Sequence, residues 1–250
     1  MRWSLPVSLA ATLTHGPSVA EVEADHATVW ARADGPGEMQ VRVTTRRRVW
    51  KGEVTVTAET DFTGAVRLDG LRADSDYAVT VMVDGDSPRS ATFRTPPAVD
   101  VFAPVTLAWG GDLGGQNACR DVTAGYPIFP HIQALKPAFF LALGDLIYAD
   151  GVCEAVGKYG NTQVPGAGKS ATLETYRDHW RYNLDEAGYA ALRAAVPVVA
   201  VWDDHEVVND FGPGRDSRSK PPYTEGVSLT PMGLRSFREY NVLPDPLYRS

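Results

Sequence analysis

Three apolar runs limit what this chain can fold into more than any other feature. "VTLAWGG" (105–111), "AFFLALG" (138–144) and "PVVAVW" (197–202) are continuous in apolar residues rather than alternating. Strands of that kind are buried on both faces and belong to a largely parallel sheet flanked by helices. The intervening segments agree: 127–136, 173–183 and 185–195 have helical spacing, and Leu173, Tyr176 and Trp180 share one helical face. Each run then stops at an aspartate, in "GGDLGG" (Asp112), "GDLIYAD" (Asp145) and "WDDHE" (Asp203 and Asp204, followed by His205 and Glu206). Ligands of open α/β sheets bind in the crevice beyond the carboxyl ends of the strands. Asp112, Asp145, Asp204 and His205 are therefore predicted to share one rim. Crowded carboxylates repel and tend to take up protons. A divalent or trivalent cation removes that difficulty, and hard cations prefer oxygen ligands. Taken singly, each residue has a plainer reading: Asp112 as a helix cap, Asp145 as a turn residue, His205 as a satisfied core histidine. Recurrence at all three strand ends is what favours a metal site.

Residues 19–95 follow a different grammar. "ATVWARA", "MQVRVTT", "GEVTVTA", "GAVRLDG", "DYAVTVMVD" and "SATFRT" are short runs of period two, spaced by turn signals such as Asp34-Gly35-Pro36-Gly37 and Asp84-Gly85. Val41 and Val43 face one way and Arg42 and Thr44 the other; Tyr77, Val79, Val81 and Val83 form a similar stripe. About seven such strands in under a hundred residues predict a β-sandwich. "LRADSDY" (71–77) resembles the Leu-x-Pro-x-Thr-x-Tyr signature of fibronectin type III domains, with Ala73 in place of the proline. That resemblance implies a corner hydrogen bond from Tyr77 and makes Trp30 the core tryptophan. The expected organisation is an all-β, fibronectin type III-like sandwich over 1–97, a linker over 98–104 introduced by Pro96-Pro97, and an α/β domain over 105–250.

A formal charge of −7 argues against nucleic acid or anionic lipid as a stable partner. The basic run Arg46-Arg47-Arg48 is read as a solvated strand end or turn. No apolar stretch reaches the roughly 20 residues that span a bilayer. "MRWSLPVSLAATLTHG" (1–16) reads as a leading strand, with a signal peptide as the alternative, because Pro6 and Ser8 break its apolar run. Two cysteines are too few for a disulfide-built scaffold. Cys119 follows Asp112 by seven residues and Cys153 follows Asp145 by eight, so both fall in loops on the same rim. A Cys119–Cys153 disulfide is expected; free thiols, or Cys153 as a metal ligand, are the alternatives. "GAGKS" (166–170) is not a phosphate-binding loop, because Gln163 stands where glycine is required and no strand precedes it. His179, on a helix, is read as structural.

At "GDLIYAD" and "VWDDHEVVND" the chain resembles the alkaline phosphatase D (PhoD-like) enzymes of the calcineurin-like and purple acid phosphatase superfamily. Those enzymes carry Gly-Asp-x-Ile-Tyr and Trp-Asp-Asp-His-Glu, commonly behind an amino-terminal β-sandwich. The resemblance implies a metallophosphoesterase domain: a phosphatase or phosphodiesterase with a dinuclear metal centre and a metal-bound hydroxide. Carried over residue by residue, it makes Asp112, Asp145, Tyr148 and Asp204 metal ligands, with Asp145 bridging both ions and Tyr148 a phenolate on Fe(III). Asp204 stands where the superfamily has asparagine, and its added charge favours Ca²⁺ as the second ion; Mn and Zn are further candidates. His205 is implied to stabilise or protonate the departing alkoxide, which makes Asp145 and His205 the catalytic pair. Asn209 and Asp210 are candidates for support of the shell, ligation or helix capping. Arg215, Arg218 and Lys220 are candidates for phosphate contact, against the plainer reading of a solvated loop.

"WGGDLGGQNAC" departs from the Ser-Cys-Gln motif common in these enzymes, so Asp112 resembles the purple acid phosphatase version and Cys119 comes too late to be the same ligand. The superfamily draws several histidine ligands from its carboxyl-terminal half, and none follows His205 here. The expectation is the amino-terminal portion of a longer enzyme, with an incomplete α/β domain. The implied partner is a phosphate-ester substrate, monomer is the favoured state, and the implied location is periplasmic or secreted. Two competing expectations are a non-catalytic surface-binding protein with a degenerate phosphatase domain, and phospholipase D-type activity on the same scaffold.

Overall fold

The structure, a computed structural model, describes residues 10–218 and 227–243. Residues 1–9 of the expected leading strand and Lys220 lie outside the described residues. Seven antiparallel strands come first: β1 (Leu13–Ala20), β2 (His26–Ala33), β3 (Gly37–Thr44), β4 (Val49–Val56), β5 (Thr63–Asp69), β6 (Asp76–Val83) and β7 (Arg89–Arg94). They form two sheets, of order β1-β2-β5 and β4-β3-β6-β7. Alternation decides which side of each strand turns inward. On β3, Met39, Val41 and Val43 are buried while Glu38, Gln40 and Arg42 are exposed. On β6, Tyr77, Val79, Val81 and Val83 face the same core. Arg46, Arg47 and Arg48 lie exposed in the β3–β4 turn, closed by the Thr45 N–H donating to the Arg48 carbonyl at 2.9 Å. The Tyr77 hydroxyl accepts from the Arg72 N–H at 2.7 Å and donates to the Arg72 carbonyl at 3.2 Å.

Trp30 is not the tryptophan of the sandwich core. On β2, Ala27, Val29, Ala31 and Ala33 point into that core, so the period of two sends Trp30 to the opposite face. There it joins the core of the second half of the chain, with its Nε1–H donating to the Glu239 carbonyl at 2.9 Å. Trp50 on β4 is the tryptophan inside the sandwich, set edge-on to Tyr77 at 5.5 Å between ring centroids.

Residues 95–106 carry no helix or strand. Beyond them, β8 (Leu107–Gly110), β9 (Phe139–Leu143) and β10 (Val198–Val201) form a parallel sheet of order β10-β9-β8. The helices are α1 (Ile128–Ala134), α2 (Leu173–Leu184), α3 (Ala187–Ala195) and α4 (Thr230–Tyr240), with a short hairpin of β11 (Ser217–Arg218) and β12 (Val227–Ser228) before α4. Phe140, Ala142, Val198 and Ala200 share a core with Tyr176, Trp180, Tyr189, Leu192 and Phe237 from the helices. Burial on both faces was the expectation for this sheet, and among the described residues only one face is covered. Leu107, Leu143 and Val199 on the other face are exposed, and Trp109 is 69% exposed.

The two halves of the chain meet across a polar junction. Asp61, in the turn before β5, accepts from Nε and Nη2 of Arg32, each at 2.9 Å, from Nη1 of Arg181 on α2 at 2.8 Å, and from the Tyr240 hydroxyl on α4. Beside it, Arg177 on α2 donates to both oxygens of Glu239 at 2.7 Å and to the Glu59 carbonyl at 2.7 Å.

Candidate metal centre

Parallel pairing in register brings the ends of β8, β9 and β10 to one edge, and with them Asp112, Asp145 and the 203–206 turn. The glycine of "GD" is required there. Gly144 has φ +88°, and a Cβ on it would lie 2.5 Å from the Asp203 Cβ. Asp112 and Asp145 themselves adopt left-handed conformations, with φ of 56° and 51°, a region that costs a non-glycine residue free energy. The ligand atoms of Asp145, Asp204 and His205 all lie within 4.8 Å of one another.

Asp112 stands outside that trio but is joined to it by Tyr148, whose hydroxyl donates to Asp112 Oδ1 at 2.8 Å. The Tyr148 ring stacks on His205 at 4.1 Å between centroids. It also packs closely on Gly115, where a Cβ would fall 2.0 Å from Tyr148 Cγ. The sequence-derived set is thus gathered at one rim, with Asp145, Asp204 and His205 closest together.

Three further side chains organise the rim. Asp150 accepts from His205 Nδ1–H at 2.5 Å and from the Asn209 N–H at 3.1 Å, and Arg218 approaches its far oxygen to 3.9 Å. Arg218 also donates to the Ser170 carbonyl at 3.0 Å, so it is engaged with the site and is not a solvated loop residue. Glu206 is fully buried and accepts from three backbone N–H groups: Leu146 at 2.6 Å, Asp203 at 2.8 Å and Asp145 at 3.1 Å. Asn209 and Asp210 serve the site through their backbones, the Asp210 N–H donating to Asp204 Oδ2 at 2.5 Å. No helix begins there; the Asp210 side chain pairs with the exposed Arg215 at 3.2 Å.

Burial pushes the Asp145 carboxyl up to about 6, helped by the charge of Asp204 and opposed by His205. Burial likewise pushes Glu206 up to about 7, against the three amides that hold it down. His205 loses basicity to burial, but its hydrogen bond to Asp150 and the charges of Asp150, Asp145 and Asp204 leave it above its ordinary value. Tyr148 is raised by burial and by its bond to Asp112, so without a cation it stays a phenol. Carboxylates, a phenol and an imidazole facing one another, with a buried acid forced upward, are a donor set suited to a hard or borderline cation.

Cys119 and Cys153 are joined, with Cα atoms 5.8 Å apart and a sequence separation of 34. Cys153 is therefore not a ligand. The bridge ties the loop after Asp112 to the loop after Asp145, and under the chain-entropy model a closed loop of this size stabilises by about 3–4 kcal/mol. His179 is buried and its Nε2–H donates to the Gly168 carbonyl at 3.0 Å, a structural role as expected. That bond and the Gly166 N–H donating to the Cys153 carbonyl absorb "GAGKS" into the same loop packing.

The family model of PhoD-like phosphatases matches residues 107–247. The chain belongs to that family. Residues 10–99 match a domain of unknown function, DUF7800. Alkaline phosphatase D of Bacillus subtilis (strain 168) is 30% identical to the chain over 148 residues, which is 58% of this chain and 24% of that protein. A solved structure of PhoD has the same fold, with a TM-score of 0.75 at 21% identity, covering 94% of this chain and 46% of that one. The PhoD-like chain thus spans less than half the length of either relative. Among the described residues no helix is long and apolar enough to cross a membrane.

Sequence reasoning missed Asp150 and Glu206 as parts of this centre. The signal for Glu206 was present, as the last letter of "WDDHE", but its burial was not visible. Asp150 follows Asp145 by five residues in a loop, where no periodicity marks which side chain turns inward.

Proposed function

We propose that the rim is the metal centre of a phosphoesterase acting on phosphate monoesters or diesters, and that Asp112, Asp145, Tyr148 and Asp204 hold a pair of ions. The observation that carries this reading is the convergence of Asp145, Asp204 and His205 within 4.8 Å at the carboxyl edge of the parallel sheet. When bound, such ions supply Lewis acidity toward the phosphate oxygens and the attacking water. Fe(III) at Tyr148 is the assignment that best suits a phenol, since only a strong Lewis acid ionises it near neutral pH. Ca²⁺ at Asp204 suits the added carboxylate.

The chain's own groups divide the remaining work. Asp150 accepts the Nδ1 proton of His205 and fixes the ring. Nε2 then faces the site, 4.0 Å from Asp204 Oδ1, and can donate its proton to the departing alkoxide. Domain boundaries at 97 and 104 follow from the same reading, and the sandwich is assigned as fibronectin type III-like on its three-plus-four strand order and the Tyr77 corner.

The test is metal analysis of the purified protein, together with hydrolysis of p-nitrophenyl phosphate and bis-p-nitrophenyl phosphate. Asp145→Ala is expected to lose bound metal and activity, and His205→Ala to lower turnover by roughly 10²–10⁴-fold. Undiminished turnover in both variants, or a wild type that binds no metal, overturns the reading.

A further inference from the structure

We propose that Glu206 is a positioning residue of the centre: a buried carboxyl group seated in a nest of backbone amides, which holds Asp145 in the conformation that aims its carboxylate at the rim. The proposal rests on the metal-centre reading above. Its own support is a set of contacts that reading does not use.

Asp145 is the residue most in need of restraint. It sits in the left-handed region at φ 51°, directly after Gly144 at φ 88°, where the backbone of a non-glycine residue relaxes readily toward other conformations. Successive N–H groups flanking a left-handed residue converge and form a concavity that binds anions. The amides of Asp145 and Leu146 converge in this way, and Glu206 fills the concavity with Oε2 and Oε1 respectively. The third donor, the Asp203 N–H, reaches the same Oε2 from the end of β10. One carboxylate therefore clamps the termini of β9 and β10 to each other. It fixes two loops that carry candidate ligands, Asp145 on one and Asp204 on the other. The His205 N–H, donating to Asp145 Oδ1 at 3.2 Å, completes the restraint from the ligand side.

A glutamine cannot reproduce this arrangement. Both oxygens of Glu206 accept, and whichever way an amide is turned its NH₂ meets at least one N–H. Glu206→Gln thus keeps the side chain's size and replaces one of its two acceptor oxygens with a donor. Partners that orient metal ligands typically alter affinity by about 10–100-fold when changed, and a loss of that size is expected here.

The experiment measures Mn²⁺ affinity by calorimetry on the wild type and Glu206→Gln, alongside melting temperature and amide hydrogen exchange. Mn²⁺ dissociation is expected to weaken by roughly 10–100-fold, with faster exchange at the amides of residues 145, 146 and 203. A variant that melts earlier yet binds Mn²⁺ as tightly as wild type has lost only stability, and the proposal is wrong. A wild type that binds no Mn²⁺ removes the metal-centre reading and this one with it. Should Glu206→Gln fail to fold, exchange in the wild type decides. Amides of 145 and 146 as protected as those of β9 support the clamp, and amides exchanging like those of an open loop overturn it.

Discussion

Asp150 shows how one carboxylate sets both the direction and the charge of a neighbour. It occupies Nδ1 of His205, so the ring has one nitrogen left for chemistry, and its charge favours the imidazolium. Asp150→Asn removes the charge and weakens the bond. The His205 pKa, followed by NMR, is expected to fall, and turnover with it by roughly 10²-fold. That loss is expected to shrink for a substrate such as 2,4-dinitrophenyl phosphate, whose leaving group needs no proton. Equal losses on both substrates point to Asp150 as support for the loop alone. At this scale the sequence was partly legible. Asp145, Asp204 and His205 could be found because each ends a recognisable apolar strand, which fixes where it must stand. Asp150 and Glu206 could not, because their partners lie across loops whose paths no local pattern encodes; Arg218 was a candidate without a known partner. Trp30 was placed on the wrong face for a related reason: both faces of β2 are buried, so its sequence offers no polar parity to read.

At the level of elements, the grip of α2 and α4 on the Asp61 turn is the contact most exposed to pH. Burial alone would raise the Asp61 carboxyl, but hydrogen bonds from Arg32 and Tyr240 and the charges of Arg32 and Arg181 hold it below the ordinary carboxylate range. A group with a depressed folded pKa stabilises above its unfolded value, about 4 for aspartate, and that contribution is lost as pH falls through the folded value. Asp61→Asn leaves Arg32 buried without its counter-ion, while Arg181 keeps Glu174 and Asp178, and is expected to cost roughly 3–5 kcal/mol near neutral pH. Urea unfolding at neutral pH and below pH 4 is expected to show the gap between variant and wild type narrowing in acid. A gap that is the same in both conditions assigns the effect to packing. The sandwich strands, the three parallel strands and helices α1 to α3 were legible from periodicity, to within a few residues at their ends, whereas α4 and the β11–β12 hairpin were not read from the sequence. This junction was not, since Asp61 and Arg181 are 120 residues apart in the chain.

For the molecule as a whole, the uncovered face of the parallel sheet is the feature its composition did not announce. Continuous apolar strands normally lie between two layers, and here Leu107, Trp109, Leu143 and Val199 meet solvent. Exposed apolar patches bind other apolar groups. The folded chain is expected to enhance the fluorescence of an apolar dye such as anilinonaphthalene sulfonate, and Trp109→Lys to diminish that signal severalfold without changing the melting temperature. A signal indifferent to the substitution places the dye elsewhere.

The junction of Trp30, Asp61 and the arginines of α2 also governs how the protein can approach a target. The sandwich is bolted by its outward face to helices that share a core with the strands ending in Asp145 and Asp204. It cannot swing as a tethered arm on residues 95–106. Anything the sandwich rests upon is therefore held at one height and one angle from the acidic rim, and the reach of the centre is a fixed dimension of the scaffold.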